Sequence, residues 1–329
     1  MKAIVCTKYG PPDTLKLEEV PKPTPGDDEV LVKVHAAAVN YSTTAFVTGK
    51  PSAIRLMGGG FFKPKHRIPG AEVAGRVEAV GRNAKQFQPG DEVFGDLSRC
   101  GRGAFAEYVS VPETFLAQKP ANITFEEAAA VTEAAVVALQ CLRDHGKIKP
   151  GHKVLINGAS GGIGTFAVQI AKSFGAEVTG VCGPGNLDMV RSIGADHVID
   201  YTREDFSRSG QQYDLIVAVK GSRSVFDYKR ALNPGGIGVA SGGSSSQVFG
   251  MLLLGPVVTM MGSKKICGMI NHVNQKDLYV LKELIEAGKV KPVIDRRYML
   301  SEVAEAIRYY AEGHSRGKVA ITVEDNDKA

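Results

Sequence analysis

The chain has 329 residues, of which 43% are apolar and 23% charged, the ordinary composition of a soluble globular protein with room for two domains and a buried core. The net charge is +5, but Lys and Arg are scattered and form no run of five or six, so a nucleic-acid-binding face is not indicated. The five cysteines are odd in number and include no C-x-x-C pair, which excludes a disulfide framework or a four-cysteine zinc lobe and favours a reducing, cytoplasmic location.

The apolar pattern does not point to a membrane. The N-terminal segment is predicted to be a strand and lacks a signal-peptide pattern. The longest apolar run, residues 248–262, is interrupted by Gly255 and Pro256. It is shorter than the roughly 20 residues with which a helix crosses a bilayer, so we expect no membrane span.

The first third of the chain is typical of a compact, mostly β unit. Apolar residues alternate or run in short segments over residues 28–39 and 71–81. Further strand-like segments follow between Pro and Gly turn signals. Neither an internal repeat nor a low-complexity linker interrupts this part of the sequence.

The pattern changes near residue 124. Thr124 and Glu127 form a capping-box pair, the following Ala and Leu residues have helical spacing, and Gly146 marks the predicted helix end. Strands and helices then alternate, and the strands are near-continuous apolar runs, as in sheets that are covered on both faces. This alternation predicts a doubly wound parallel sheet.

The C-terminal segment does not extend that alternation. A helix is predicted to end at Gly288, an extended segment follows, Ser301 is predicted to cap a second helix, and residues 317–323 are predicted to form a closing strand. We expect this segment to return to the N-terminal β unit.

The strongest local motif is NGASGGIG, residues 157–164. It follows a predicted strand and opens an amphipathic helix, and a second strand follows about 20 residues later. The glycines let backbone N–H groups approach a pyrophosphate, and the helix N-terminus adds partial positive charge. A plain glycine-rich turn is the alternative, but the context favours a dinucleotide site.

Six segments together resemble a known family: PGAEVAGRVEAVG, PGDEVFGD, GAFAEYV, NGASGGIG, IGADHVIDY and GKVAITV. Over essentially its whole length the chain is similar to the zinc-free branch of the medium-chain dehydrogenase/reductase superfamily, in its quinone oxidoreductase and alkenal/enone reductase group. The resemblance implies an α/β fold with a GroES-like, mostly β catalytic domain (1–123), a Rossmann NADP-binding domain with a doubly wound parallel sheet (124–266) and a C-terminal return to the catalytic domain (267–329). It also implies NADP(H), a substrate cleft between the domains and a homodimer.

This sequence lacks two of the zinc ligands that related dehydrogenases carry. Zinc relatives carry Cys where this chain has Asn40, and Gly-His-Glu where it has Gly70-Ala71-Glu72. Cys100 is the only cysteine in the segment where the family's structural-zinc lobe would lie, and the histidines lack a ligand spacing. We therefore expect no metal.

Without zinc, conjugate reduction is easier to support than ketone reduction or alcohol oxidation. Charge spread onto an enolate or phenolate oxygen needs one or two hydrogen-bond donors and a proton from water. Asn40 matches the family's active-site asparagine, and Tyr41 and Thr44 are further candidate catalytic residues. The alternative is that Asn40 only satisfies turn backbone and Tyr41 only packs. Thr43 stands where many relatives have an acidic residue, so the substrate range is not carried over.

The segment GVCGPGN, residues 180–186, bears on the choice of dinucleotide. It offers neither an acidic side chain for a ribose diol nor an Arg-bearing cluster for a 2′-phosphate. Its glycines present backbone N–H groups, and Asn186 offers an amide and is predicted to cap the next helix. The resemblance places Tyr201 near the adenine-ribose phosphate, and Arg191 lies one helical turn further on. We expect NADP rather than NAD, with weaker discrimination than an arginine would give.

Two charged residues stand in unusual places. Glu133 lies on an Ala- and Val-rich helix where zinc relatives place their third ligand, so its carboxylate must be paired or face a cleft. Lys220 ends a strand whose carboxyl end faces the ligand crevice; it is predicted to reach a cofactor phosphate, a ribose or Glu133, with a solvated lysine as the alternative. The predicted cofactor-binding residues are Ser160, Gly161, Gly162, Ile163, Gly164, Cys182, Gly183, Asn186, Tyr201, Val219, Lys220, Gly242 and Gly243.

We therefore expect an NADPH-dependent oxidoreductase that transfers hydride to a quinone or to an α,β-unsaturated carbonyl compound such as a 2-alkenal or enone. The alternative is a non-catalytic or weakly cofactor-binding member of the same fold that acts as a binding or structural protein, because segments 131–134, 181–186 and 218–221 are unusual at places expected to line the cofactor cleft. Residues 248–262 are predicted to form a helix that lines the cleft mouth or covers a partner subunit, or else a buried core helix.

Overall fold

The computed structural model of the chain describes residues 1–52, 54–55, 60–243, 245–260, 262–269 and 272–323. The strands are, in chain order, β1 (Lys2–Val5), β2 (Lys16–Glu19), β3 (Glu29–Val39), β4 (Glu72–Val80), β5 (Glu92–Asp96), β6 (Tyr108–Pro112), β7 (Leu116–Gln118), β8 (Lys153–Asn157), β9 (Glu177–Cys182), β10 (His197–Asp200), β11 (Tyr213–Ala218), β12 (Leu232–Ala240), β13 (Lys265–Gly268), β14 (Ile294–Met299) and β15 (Lys318–Thr322). The helices are α1 (Tyr41–Thr48), α2 (Phe125–Val131), α3 (Ala134–Gln140), α4 (Gly162–Ser173), α5 (Leu187–Ser192), α6 (Val225–Ala231), α7 (Ser245–Leu253), α8 (Gly255–Met260), α9 (Gln275–Glu286) and α10 (Val303–Ala311).

The chain forms two compact units. The first contains Met1–Glu133, Val273–Glu286 and Ile294–Ala329, and the second contains Ala134–His272 and Ala287–Val293. The predicted limit at residue 124 differs from this division, because α2 packs against β3, β4 and β15 and therefore groups with the first unit. The predicted limits of the domains stay a prediction.

A largely antiparallel sheet dominates the first unit. Its strand order is β14-β15-β3-β4-β5-β7, and β6 also pairs with β3. The central strand β3 directs Val30, Val32 and Val34 into a core that also contains Phe105. At the end of β3, Val39 lies opposite Val319 of β15, so the C-terminal strand is part of this sheet.

The second unit is built on a parallel sheet with the order β10-β9-β8-β11-β12-β13. Counted in chain order from β8, this is the 3-2-1-4-5-6 order of doubly wound dinucleotide-binding sheets. Val154, Leu155 and Ile156 of β8 are fully buried, as expected for a strand that is covered on both faces. The predicted fold class, a Rossmann sheet plus a separate mostly β domain, is confirmed.

The helix predicted from Thr124 to Gly146 is divided, which corrects the sequence prediction. Its start is as predicted, since Thr124 and Glu127 form both hydrogen bonds of a capping box. The helix is interrupted between α2 and α3, where the Glu133 N–H is donated to Glu72 Oε1 at 3.1 Å. A buried carboxylate from another strand thus competes with the helix's own carbonyls for this N–H group.

Two further helix predictions need correction. Ser301 does not cap α10; a single turn of 3-10 helix, Leu300–Glu302, precedes it, and Glu302 accepts the Met299 N–H at 2.7 Å. The run 248–262 contributes to two helices, α7 and α8, and its residue 261 lies outside the described residues. The helix is interrupted just before Gly255, where a Cβ would lie 2.6 Å from the Ile266 carbonyl oxygen.

This broken apolar run is neither fully buried nor fully exposed. Met251 and Val258 are buried, whereas Leu253, Val257 and Met260 are exposed. In the described ranges, no helix combines the length and the apolar composition that crossing a bilayer requires.

Candidate active site

The side chain of Asn40 is held in one orientation at the start of α1. As the N-cap residue it accepts the Thr43 N–H at Oδ1 over 2.7 Å, and the same oxygen accepts the Ser42 hydroxyl at 3.0 Å. Its Nδ2 donates to Glu133 Oε2. Three hydrogen bonds therefore fix the amide, and within the described residues no second acceptor engages the remaining Nδ2–H.

The neighbours of Asn40 that the sequence singled out lie on the same helical turn. Tyr41 is exposed, with 65% of its surface accessible. The Thr44 hydroxyl donates to the Asn40 carbonyl at 3.2 Å, so it is used by the local backbone. Of the three predicted catalytic residues, Asn40 alone combines burial with a side-chain donor that is left over.

Glu133 lies beside a cluster of charged groups in the first unit. Its pKa is raised to about 8, first by burial and then by the Asp96 and Glu72 carboxylates, while Lys318 and Arg102 act in the opposite direction. This raised pKa favours the neutral form of the Glu133 carboxyl. The sequence indicated that Glu133 is unusual, but it did not indicate which charged groups surround it.

The Glu72–Lys318 ion pair anchors that cluster. Lys318 Nζ lies 2.7 Å from Glu72 Oε2, and both side chains are almost completely buried. The pair joins β4 to β15, whose residues are far apart in the sequence. Sequence reasoning missed it, because nothing in GAEVAG or GKVAITV shows that the two charges face each other.

Asp96 and Arg102 complete the cluster with unused hydrogen-bonding capacity. Asp96 Oδ1 accepts the N–H and the hydroxyl of Ser98, but its Oδ2 is buried and has no partner within the described residues. Arg102 Nη1 is likewise buried without a hydrogen-bond partner there, and its guanidinium lies over the Phe46 ring at 4.7 Å. Burial lowers the pKa of Arg102 and raises the pKa of Asp96.

The glycine loop after β8, in the second unit, has the shape of a phosphate-binding turn. Gly158 has φ of 95°, in the region that favours glycine. A Cβ on Gly164 would lie 2.0 Å from the Gly158 carbonyl oxygen, so this crossing of turn and helix requires glycine. Gly161 is the N-cap of α4 and provides no side-chain cap, which leaves the N–H groups of the first helical turn available for an anion.

The segment after β9 lies near this loop. Asn186 Nδ2 donates to Ser160 Oγ at 3.3 Å, and Asn186 Oδ1 is buried without a partner in the described part of the chain. Asn186 is the N-cap residue of α5, as predicted, but its side chain makes no capping hydrogen bond and contacts Ser160 instead. Cys182 is buried, and the Tyr201 ring packs within 3.5 Å of where a Gly183 Cβ would be.

Arg191 is engaged elsewhere. Its Nη1 lies 3.0 Å from Asp188 Oδ1, which is fully exposed, so it forms a surface ion pair on its own helix. A pair of this kind contributes little to stability. Arg191, which was considered for the 2′-phosphate, thus pairs with Asp188 in the structure.

A polar network connects the segments that carry the remaining predicted cofactor residues. Asn157 Nδ2 donates to the Lys220 carbonyl and to Tyr228 Oη, both at 3.0 Å. Tyr228 Oη donates to Gln247 Oε1 at 2.8 Å, and Gln247 Nε2 donates to the Gly242 carbonyl at 2.8 Å. The loops that follow β8, β11 and β12 are thereby tied together.

The backbone near this network also requires particular residues. Gly243 has φ of 100°, and a Cβ on Gly242 would lie 2.6 Å from the Val219 carbonyl oxygen. The Lys220 side chain is exposed. Sequence reasoning missed Asn157, Tyr228 and Gln247; the one available signal was an asparagine directly before Gly158, at the carboxyl end of a buried strand.

The described residues do not provide a metal site. Among them, no group of three or more His, Cys, Asp or Glu side chains is arranged to hold a metal ion. At two positions where zinc relatives carry ligands, Asn40 has an amide and Ala71 has no ligand group.

Comparisons with known proteins agree with this architecture. Residues 26–121 match the family described as the alcohol dehydrogenase GroES-like domain, and residues 193–321 match the one described as zinc-binding dehydrogenase. The chain is 35% identical to a 2-methylene-furan-3-one reductase of Solanum lycopersicum, over 98% of this chain and 79% of that protein. It is 32% identical to quinone-oxidoreductase QR1, chloroplastic, of Triphysaria versicolor, over 98% of both proteins.

Two more similarities extend this result. The chain is 34% identical to the NADPH-dependent alkenal/one oxidoreductase, chloroplastic, of Arabidopsis thaliana, over 98% of this chain and 79% of that protein. Its structure is similar to that of the quinone oxidoreductase from Coxiella burnetii, with a TM-score of 0.85 at 27% identity, covering 98% of this chain and 99% of the other.

Proposed function

Because the chain belongs to the medium-chain dehydrogenase/reductase superfamily, in its quinone oxidoreductase and alkenal/one reductase group, we propose that it is an NADPH-dependent oxidoreductase that transfers hydride to quinones or α,β-unsaturated carbonyl compounds. The observation that carries the proposal is the oriented Asn40 amide, which retains one N–H donor for an oxygen that gains negative charge.

The second unit has residues that fit a dinucleotide. A pyrophosphate fits the N-terminus of α4 and the glycine turn, and the unpartnered Asn186 Oδ1 offers an acceptor for a ribose hydroxyl. We propose that Ser160, the loop glycines, Gly183 and Tyr201 complete this site. NADP rather than NAD is supported by the absence of an acidic side chain in residues 180–186, and by the name of the Arabidopsis relative.

When bound, NADPH supplies the hydride, which adds to the β carbon of the enone or to the quinone. Asn40 then donates its remaining Nδ2–H to the carbonyl oxygen, where the negative charge collects as enolate or phenolate. A proton from water completes the reduction. A donor that is already oriented gives this stabilisation without reorganising at the moment of reaction.

We propose that the reaction proceeds without zinc. The support is the donor set: an amide at Asn40 and no ligand at Ala71, with Glu72 held in an ion pair by Lys318. Such residues suit an oxygen that shares its charge with a conjugated system better than an alkoxide, which needs a Lewis acid.

Dimerisation and a cytoplasmic location are also proposed. The β13 edge of the parallel sheet and the exposed Leu253, Val257 and Met260 support a homodimer. The five free cysteines support a reducing compartment such as the cytoplasm.

The test is an NADPH fluorescence titration followed by a screen of quinones, 2-alkenals and enones. We expect binding at micromolar concentrations, oxidation of NADPH on addition of an acceptor, and activity that survives chelation and metal analysis showing no zinc. No NADPH binding would favour the non-catalytic alternative. A clear preference for NADH would refute the cofactor assignment.

A further inference from the structure

A continuous set of polar contacts leads from the C-terminal strand to the Asn40 amide. Lys318 of β15 pairs with Glu72 Oε2 of β4, and Glu72 Oε1 accepts the Glu133 backbone N–H at 3.1 Å. The Glu133 carboxyl in turn accepts from Asn40 Nδ2. Glu133 is thus anchored through its backbone and leaves its side chain for Asn40.

The other end of the Asn40 amide is fixed independently. A rotation that exchanged its oxygen and nitrogen would set Nδ2 against the Thr43 N–H, and the hydrogen bond that caps α1 would be lost. The oxygen therefore belongs to α1 and the nitrogen to Glu133. Only the direction of the second Nδ2–H remains for a ligand.

We propose that Glu133 is a positioning residue for the reduction, and that its carboxyl group holds the Asn40 amide so that the remaining Nδ2–H donates to the oxygen of the bound quinone or enone. The inference rests on the proposed function. Burying a carboxyl group in an Ala- and Val-rich segment costs free energy, and the proposal gives this carboxyl group a role.

The groups around Glu133 suit this role. Asp96 of β5 and Glu72 of β4 face it as carboxylates, Lys318 of β15 and Arg102 face it as cations, and Tyr310 of α10, itself close to Tyr41 of α1, interacts with it as well. With its pKa raised to about 8, the neutral carboxyl accepts the amide N–H without placing a charge beside an oxygen that becomes negative. Ionisation adds that charge, so turnover falls as the pH rises.

Two substitutions separate positioning from charge. In Glu133→Gln an acceptor oxygen remains, and because Asn40 Oδ1 stays with α1 we expect kcat within about threefold of wild type. In Glu133→Ala the amide loses its acceptor, and we expect kcat to fall at least about tenfold while the KM for NADPH stays unchanged. Glu283→Gln, an exposed change on α9, is the matched control.

The pH profile provides a readout that a merely structural residue would not change. We expect wild-type kcat to fall as the pH rises through about 8 and the Glu133→Gln variant to lack this fall. The proposal is overturned if Glu133→Ala retains wild-type kcat, or if the same alkaline fall persists in Glu133→Gln.

A measurement on the protein without cofactor distinguishes this proposal from the proposed function. In protein labelled with ¹⁵N-asparagine, the Asn40 side-chain signal is assigned by its loss in Asn40→Ser. We expect it to titrate with Glu133, to shift in Glu133→Ala and to lose its titration in Glu133→Gln. A signal that changes neither with pH nor in either Glu133 variant refutes the contact. If the signal behaves as expected but wild type reduces no acceptor, the proposed function fails and the contact stands.

Discussion

Two demands meet in the side chain of Asn40: its oxygen caps α1, and its nitrogen carries the donor on which the proposed chemistry depends. The sequence identified this residue through its match to the active-site asparagine of the family that the chain resembles. It did not identify its partner, because Glu133 is 93 residues away and no local pattern links the two. A residue's type and local motif can be recognised in a sequence, whereas a tertiary contact between distant residues cannot.

Asn40→Asp separates these two demands. An aspartate keeps an acceptor for the Thr43 N–H, so the N-cap is preserved, but it removes the Nδ2–H groups and sets a carboxylate against the Glu133 carboxyl group. We expect kcat to fall about 100-fold, the loss typical of removing one oxyanion donor.

The comparison variant is Asn40→Ser, which also caps the helix but carries no amide. Melting temperatures of both variants show whether the fold persists, and steady-state kinetics with an enone give kcat. Wild-type turnover in Asn40→Asp would contradict a donor role for this amide.

At the level of elements, the glycine turn and α4 make a sharp comparison between neighbouring glycines. A Cβ on Gly164 would lie 2.0 Å from the Gly158 carbonyl oxygen, whereas a Cβ on Gly161 would meet the same oxygen at an ordinary 3.6 Å. We expect Gly164→Ala to destabilise the protein by about 1–3 kcal/mol, as overpacking does, and Gly161→Ala to change stability by less than about 1 kcal/mol.

Urea denaturation followed by circular dichroism measures both free energies of unfolding. NADPH titration of Gly164→Ala adds the functional consequence, which we expect to be a weaker affinity because the turn must open. Equal stability of the two variants would show that the turn and helix do not cross as closely as described.

The Glu72–Lys318 pair joins β4 and β15. Lys318→Met leaves the Glu72 carboxylate buried and unpaired, and we expect a loss of about 3–5 kcal/mol in the free energy of unfolding. Glu72→Gln combined with Lys318→Met removes the uncompensated charge and should recover most of that loss.

The sign of the pH dependence follows from the unpaired acid. Burial raises the folded-state pKa of Glu72 above its unfolded value, and Lys318 acts in the opposite direction; removing Lys318 therefore raises this pKa further, so the variant's loss of stability relative to wild type is smallest at low pH and grows as the pH rises. Urea titrations of Lys318→Met at pH 5 and pH 8 test this. A deficit that is the same at both values would indicate lost packing instead of an unpaired charge.

For the whole molecule, the alternation of strands and helices after residue 124 was enough to predict the parallel sheet, because buried parallel strands carry a distinctive apolar pattern. The break between α2 and α3 was not predictable, since the acceptor of the Glu133 N–H lies on β4. The same holds for the Asn157–Tyr228–Gln247 network, whose members come from three separate segments. Local pattern determines the elements, and tertiary hydrogen bonds decide where they end.

The assembly of the whole molecule is the remaining prediction. In the described part of the chain, β13 is an edge strand, and the neighbouring α7 and α8 expose Leu253, Val257 and Met260, with 87% of the Met260 surface accessible. An open strand edge next to an apolar surface is typical of a surface that another chain covers. We expect a mass of two chains by light scattering at micromolar concentration.

Charges on that surface should oppose its burial. We expect the double variant Leu253→Lys and Met260→Lys to shift the mass towards one chain, because each buried lysine would have to be desolvated without a partner. Leu17→Lys, at an exposed apolar position on β2, serves as the control and should keep the wild-type mass. Because the phosphate turn is unchanged, NADPH should still bind the double variant. A wild-type mass of one chain would refute the dimer, whereas a dimer that survives both lysines would place its interface on another surface.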